Sequence, residues 1–306
     1  MSAPLVSICI PAYEQVVYLE RTLASILDQS FVDHETIITD DSATTSVQAL
    51  VDRYRERFGD RLTYVRNRPA KGTPENWNTA VALAKGTYIK VMHHDEWFAD
   101  SESLGTYVAT ASAENAAFVF SSVVTHVANT DRSWELHPTD EEVAAIRETP
   151  ELIMLGNIIG PPSTTFYRRD LGIIYDGRFK YVVDMAFYIA AFRRAGHVAR
   201  IHAPLIHAVS DADHNVTNSC HVPEIELREY VLLFEDLMPR IPRSALARYD
   251  RFLFWLFVRY NIDSIQALRR YHPHPKHATR YRMITWAVKA YKLRNRLFRR
   301  NTSPIV

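Results

Sequence analysis

Four short apolar runs alternate with three helical patterns in the first 95 residues, and this order constrains the fold more than any other feature of the chain. Residues 5–12 (LVSICIPA), 35–40 (ETIITD), 62–67 (LTYVRN) and 87–93 (TYIKVMH) read as strands. Between the first two, residues 17–27 place Leu19, Leu23, Ile26 and Leu27 on one helical face. Residues 45–58 turn Val47, Leu50, Val51 and Tyr54 inward. Thr73-Pro74-Glu75 opens a third helix with Pro in its first turn, running to Lys85 with Gly86 as its C-cap. The resulting β-α-β-α-β-α-β order predicts an α/β fold, a mainly parallel sheet flanked by helices.

The remainder is more mixed. Residues 117–127, 163–168 and 197–206 read as strands and 182–194 as a helix, while 128–162 hold turn residues, prolines and a short helical pattern. After Pro223 the pattern is helical almost to the end, broken by Pro239, Pro242 and the HPHP segment 272–275. A chain of 306 residues suits one large domain or two modest ones. The boundary is expected near residue 220, with 1–220 as the α/β domain and 221–306 as a helical extension.

Composition excludes several functions. There are only nine glycines, none spaced G-x-G, and no C-x-x-C, H-E-x-x-H or G-x-S-x-G occurs. Dinucleotide fingerprints, phosphate-binding P-loops and kinase loops are therefore disfavoured. Two cysteines, Cys9 and Cys220, cannot build a disulfide framework, and no secretory pattern opens the chain, so a reduced, cytoplasmic setting is expected. No apolar run approaches the ~18 residues of a membrane span; Phe252 to Val258 has seven. The net charge of +1 conceals an asymmetry: of 36 basic residues, 11 fall in 264–306, where there is no Asp or Glu. That leaves 25 basic against 35 acidic residues in the rest, an acidic body with a basic tail suited to an anionic partner.

Ligands of open parallel sheets bind beyond the carboxyl ends of the strands. Here those ends carry Pro11-Ala12-Tyr13-Glu14, Asp40-Asp41-Ser42 and His93-His94-Asp95-Glu96. Each has a plain structural reading: Asp-Asp-Ser also suits a helix N-cap, Pro-Ala-Tyr a turn, and the histidines a solvated loop. Carboxylates crowded at one edge without Lys or Arg among them instead call for a cation or hydrogen-bond donors.

IPAYE, ITDDSA, KGTPENWNTAVALAKGTYIKVMHHDEWF, GPPSTTFYRRD and YVVDMAFYIAAFRRAGH resemble the successive blocks of family-2 glycosyltransferases with the GT-A fold, over residues 5–217. The resemblance implies a Rossmann-like sheet, with a nucleotide-sugar half at about 1–98 and an acceptor half at about 99–220. It implies an inverting, hexosyltransferase-type transfer of a sugar from a nucleotide-diphosphate donor (UDP, dTDP or GDP type), assisted by Mn²⁺ or Mg²⁺. The acceptor would be a glycan or lipid-linked hydroxyl in cell-surface polysaccharide or glycoconjugate synthesis.

By the same resemblance, Pro11, Ala12, Tyr13 and Glu14, with Asp40 or Asp41, border the nucleotide, and Lys71, Asn76 and His94 lie within its reach. The family's D-x-D element falls on His93-His94-Asp95, with His93 at the first acidic position. Asp95 is then the expected metal ligand, with Glu96 and His214 as further candidates. The expected base is Asp184, with Val183 in place of the usual acidic neighbour; a lone Asp there also fits a helix N-cap. Trp97, Ser163 and Thr164 are expected to border the acceptor.

In the tail, Ile284, Val288, Tyr291 and Phe298 fall near one helical face, with Trp286 and a row of Arg and Lys around the rest. That pattern suits a membrane surface, the protein's own catalytic domain or a second subunit; no nucleic-acid module is recognisable. Two other readings stand beside the leading one. A sugar-nucleotide nucleotidyltransferase also places acids at parallel strand ends, though it requires the Gly-rich loop missing here. A non-catalytic nucleotide-sugar-binding subunit is suggested by His93 and Val183.

Overall fold

The computed structural model describes residues 3–212 and 216–300. The chain divides into two compact units, Met1–Asn218 and Ser219–Val306. The first begins with four parallel strands, β1 (Val6–Ala12), β2 (His34–Asp40), β3 (Leu62–Arg66) and β4 (Tyr88–Val91), in the spatial order β3-β2-β1-β4. They are joined by α1 (Val16–Leu27), α2 (Ser46–Phe58) and α3 (Glu75–Leu83). Every residue of β1 and β2 is buried, and β1 accordingly reads as a mainly apolar run rather than an alternating one. Val47, Leu50, Val51 and Tyr54 of α2 are buried, as their spacing predicts.

One helix boundary differs from the sequence reading. α3 stops at Leu83 with Ala84 as its C-cap, so Gly86 caps nothing. Gly86 is glycine because the chain passes tightly against β1: a Cβ there would lie 2.6 Å from the Ser7 backbone nitrogen. Its N–H donates to Ser7 Oγ at 2.8 Å, and Ser7 Oγ donates in turn to Glu35 of β2 at 2.6 Å.

The second half of the unit holds β5 (Trp97–Phe98), α4 (Ser103–Ala113), β6 (Phe118–Val127), β7 (Ser133–Leu136), α5 (Asp140–Glu148), β8 (Thr165–Arg168), α6 (Val183–Arg194) and β9 (Val198–Ser210). The sheet continues past β4 in the order β8-β6-β9-β5, with β7 on β6. Only β6 and β9 pair in parallel here, so the sheet is parallel in its first half and mixed in its second. The α/β architecture is as expected. Pattern reading passed over α4, β5 and β7 because none carries a clean amphipathic signature. β5 is two residues defined by their pairing to β9, and β7 is an exposed edge.

α7 (Val216–Cys220) lies at the junction of the units. The second unit contains α8 (Arg228–Leu237), α9 (Leu246–Arg259), α10 (Ile265–Arg269) and α11 (Ala278–Arg300). Its interior is built from Phe234, Tyr249, Leu253, Phe257, Leu268, Tyr281 and Val288. The buried Glu235 carboxylate accepts the Lys276 N–H at 2.7 Å and pairs with His272 at 3.0 Å, fixing the HPHP segment against α8. Cys9 and Cys220 are both buried and free. Among the described residues no helix is long and apolar enough to cross a membrane.

Candidate active site

Strand register brings the polar segments level. Ala12 stands opposite Asp40, Asp40 opposite Arg66, and Cys9 opposite Val91, so residues 11–14, 40–42 and 92–97 leave the sheet at one edge. Pro11 and Ala12 are buried, whereas Tyr13 is 55% exposed and offers a ring face. Glu14 turns the chain with φ 58°. Its N–H donates to Ser42 Oγ at 2.7 Å, and its carboxylate accepts from Thr44 Oγ1 at 2.6 Å and the Thr44 N–H at 3.0 Å. Those Thr44 bonds hold its pKa below the usual range, so Glu14 is a tether between the loops after β1 and β2.

Asp40 and Asp41 are both buried and both supplied with donors. Asp40 accepts from the Ser42 N–H at 2.8 Å and Tyr64 OH at 2.7 Å. Asp41 accepts from Asn67 Nδ2 at 2.7 Å and from the N–H groups of Lys71 and Gly72 at 3.1 and 2.7 Å. Asn67 Nδ2 also donates to Asn76 Oδ1 at 2.9 Å, and Asn76 Nδ2 reaches the Ala12 carbonyl at 3.4 Å. Asp41, Asn67 and Asn76 thus form one network that fastens the loop before α3 to the end of β1. Lys71 contributes its backbone; its exposed side chain reaches Thr79 Oγ1 at 2.9 Å.

The loop after β4 is held from two sides. Thr22 Oγ1 of α1 lies 2.7 Å from the Glu96 carbonyl and 3.0 Å from that of His94. Glu96 is buried, and its carboxylate accepts the His93 N–H at 2.8 Å and stands 3.3 Å from His93 Nδ1. The carboxylate predicted as a further metal ligand is therefore committed to His93. Trp77 of α3 packs on the imidazole with ring centroids 4.6 Å apart. Burial alone would pull the His93 pKa down, but Glu96, with Asp95 and Asp184, carries it above its ordinary value. His93 Nε2 is buried and has no protein partner.

Asp184 stands in the first turn of α6, where Val182 occupies the N-cap position, so the N-cap reading of this residue does not hold. Its carboxylate accepts from Asn157 Nδ2 at 2.8 Å and from the Met185 N–H at 2.8 Å. Burial pushes its pKa up to about 6 against those bonds and the attraction of His93. The start of α6 and the loop after β4, more than 80 residues apart in sequence, thus meet electrostatically. His214 lies outside the described residues. Among the described residues no group of three or more His, Cys, Asp or Glu side chains gathers at one point.

The residues expected to border an acceptor separate. Trp97 is half-buried, stacked on His126 and His207 at 5.5 and 5.4 Å, with the Arg21 guanidinium 4.5 Å from its ring centre. His126 Nε2 and His207 Nδ1 share a hydrogen bond of 2.8 Å. Ser163 and Thr164, by contrast, are fully buried. Thr164 Oγ1 donates to carbonyls of its own loop, and the Ser163 carbonyl accepts from the buried Lys90 Nζ. Sequence reasoning missed Asn157, Thr22, Asn67, Trp77, His126 and His207. Trp77 lies in the NWN block, a usable signal, whereas His126 and His207 are brought together only by β6–β9 pairing.

Residues 7–173, more than half of the chain, match the family model of Glycosyl transferase family 2. The chain belongs to that family. As a glycosyltransferase it is 25% identical over 271 residues to uncharacterized protein MT1568 of Mycobacterium tuberculosis (strain CDC 1551 / Oshkosh), covering 83% of this chain and 76% of that one. It is 34% identical over 93 residues to TuaG of Bacillus subtilis (strain 168), which carries the name of a teichuronic acid biosynthesis glycosyltransferase. That match covers 30% of this chain and spans only 36% of TuaG. In fold, the glycosyltransferase resembles S. aureus TarS 1-349, crystallised in complex with UDP-GlcNAc. The TM-score is 0.63 at 18% identity over 83% of this chain and 72% of TarS. The GT-A architecture expected from sequence is the one observed.

Proposed function

We propose that this glycosyltransferase transfers a hexose from a nucleotide-diphosphate donor to an acceptor hydroxyl with inversion, in the synthesis of a cell-surface polysaccharide or glycoconjugate. The observation that carries the reading is Asp184, a carboxylate whose pKa of about 6 and fixed orientation suit a general base near neutral pH. The acceptor oxygen attacks the anomeric carbon, the bond from that carbon to the diphosphate oxygen breaks with its electron pair, and Asp184 takes the hydroxyl proton. Attack in line with departure inverts the centre. Asn157 and the Met185 N–H keep one carboxylate orientation throughout.

The nucleotide would lie across the ends of β1 and β2. Tyr13 offers its exposed ring to the base, and Asp40 and Asp41, already oriented by fixed donors, offer their remaining acceptor positions. Lys71 and Asn76 act by holding that rim. The donor set also fits a divalent cation: Asp95 supplies carboxylate oxygen, and His93 Nε2 is a buried nitrogen left without a partner. Mn²⁺ or Mg²⁺ held there would neutralise charge on the departing diphosphate. Glu96 orients His93, as carboxylates behind ligating histidines do. A solved relative in fold bound to UDP-GlcNAc supports the donor class, and the name of TuaG supports a cell-surface product.

Thermal-shift measurements with UDP, GDP, dTDP and CDP, each with and without Mn²⁺, test donor and metal together. At least one nucleotide is expected to stabilise the protein, and more so with metal. Asp184→Asn is expected to bind that nucleotide normally while losing about 10²- to 10⁴-fold in transfer rate. Undiminished transfer by this variant would refute the assignment.

A further inference from the structure

α11 presents two apolar faces, and only one is used within the second unit. Tyr281, Ile284 and Val288 are buried, packed toward α9. Ile284 and Val288 lie on the face read from sequence and Trp286 lies off it, while the Phe298 side chain lies outside the described residues. The second face is open: Met283 is 61% exposed, Trp286 74% and Leu293 59%, with Ala290 exposed among them. At 3.6 residues per turn these four side chains fall within an arc of about 80°. Arg282 and Lys289 border one side of the arc and Arg294 the other, all three exposed and none in an ion pair among the described residues.

We infer that this face lies in the headgroup layer of an anionic membrane, with Trp286, Met283 and Leu293 inserted and the flanking cations on lipid phosphates. The arrangement favours a planar lipid surface over an acidic protein. An apolar stripe with cations along both borders lets the side chains dip into the acyl boundary while Arg and Lys spread at the phosphate level. An indole three-quarters exposed at the centre of the stripe is placed where Trp partitions best, between apolar and polar layers. Charge complementarity extends beyond the helix, since residues 264–306 hold 11 basic side chains and no acidic one. The inference does not depend on the reaction proposed above.

The test is flotation of the full-length protein with vesicles of phosphatidylcholine alone or mixed with phosphatidylglycerol, alongside Trp fluorescence. Flotation only with the mixed vesicles, and a blue-shifted emission there, is expected. Trp286→Glu combined with Leu293→Glu should lower the bound fraction at least tenfold. Arg282→Glu with Lys289→Glu and Arg294→Glu should abolish the preference for phosphatidylglycerol. All five positions are exposed, so each variant should keep the wild-type Tm, which certifies its fold. Failure of the wild type to float with anionic vesicles, or unchanged flotation of the Trp286→Glu/Leu293→Glu protein, would overturn the inference. A dimer in sedimentation that the same two substitutions dissolve would assign the face to self-association and overturn it equally.

Discussion

Asp184 carries two opposing demands: the reaction needs an ionised carboxylate, and its surroundings favour a protonated one. With a pKa of about 6, transfer limited by this base should rise with pH through that value and level off above it. A pH–rate profile of kcat/KM measures this, and an acid limb falling at pH ~4, the range of an ordinary carboxylate, would contradict it. Stability runs the other way. A folded-state pKa above the ordinary Asp value means that the contribution of this group is complete below about pH 4 and is lost as pH rises through about 6. Asp184→Asn removes that loss, so the Tm difference between variant and wild type should grow in favour of the variant across this window. The shift corresponds to at most about 3 kcal/mol. At this scale, sequence placed an acid at the head of the last helix of the domain but left its role divided between cap and base. The N-cap belongs to Val182, which removes the first. Glu96 shows the converse: its neighbours in sequence mark it as a ligand, yet its carboxylate is taken by His93.

The elements that matter are the loops after β1, β2 and β4, each tied to a different helix or strand. Thr22 of α1 supports the β4 loop by donating its hydroxyl proton, at shortest distance to the Glu96 carbonyl, so Thr22→Val should cost about 1–3 kcal/mol from the loss of that buried hydrogen bond. The same variant should raise the KM for the donor more than it lowers kcat, because the loop is loosened while Asp184 is untouched; urea denaturation and steady-state kinetics check both. Gly86→Ala places a methyl group 2.6 Å from the Ser7 backbone nitrogen, forcing the chain off β1. Overpacking of this kind should cost about 1–3 kcal/mol, seen as a lower urea midpoint. The four parallel strands and three helices of the first half were legible because buried strands show as short apolar runs and amphipathic helices by their period. α4, β5 and β7 were not, since a two-residue strand or an exposed edge acquires meaning only from its partner.

For the whole molecule, the uneven distribution of charge is the property that composition averages hide. Membrane association driven by the basic tail should weaken as salt rises from about 0.1 M, where screening acts over ~10 Å, to about 1 M, where it acts over ~3 Å. Flotation with phosphatidylglycerol vesicles across that range measures it. Residual binding at high salt should report the apolar stripe, which salt does not screen. The sequence alone determined the α/β class and the edge at which polar residues gather, because strand order and hydrophobic period are local properties of a chain, and its motif blocks carried the resemblance to the family. It also determined the basic tail. Only tertiary structure decided which polar residues face inward as supports, as with Asn76, Glu96, Ser163 and Thr164. It alone joined His93 to Asp184. Burial and hydrogen-bond partners come from segments far apart in the chain, and no local pattern encodes them.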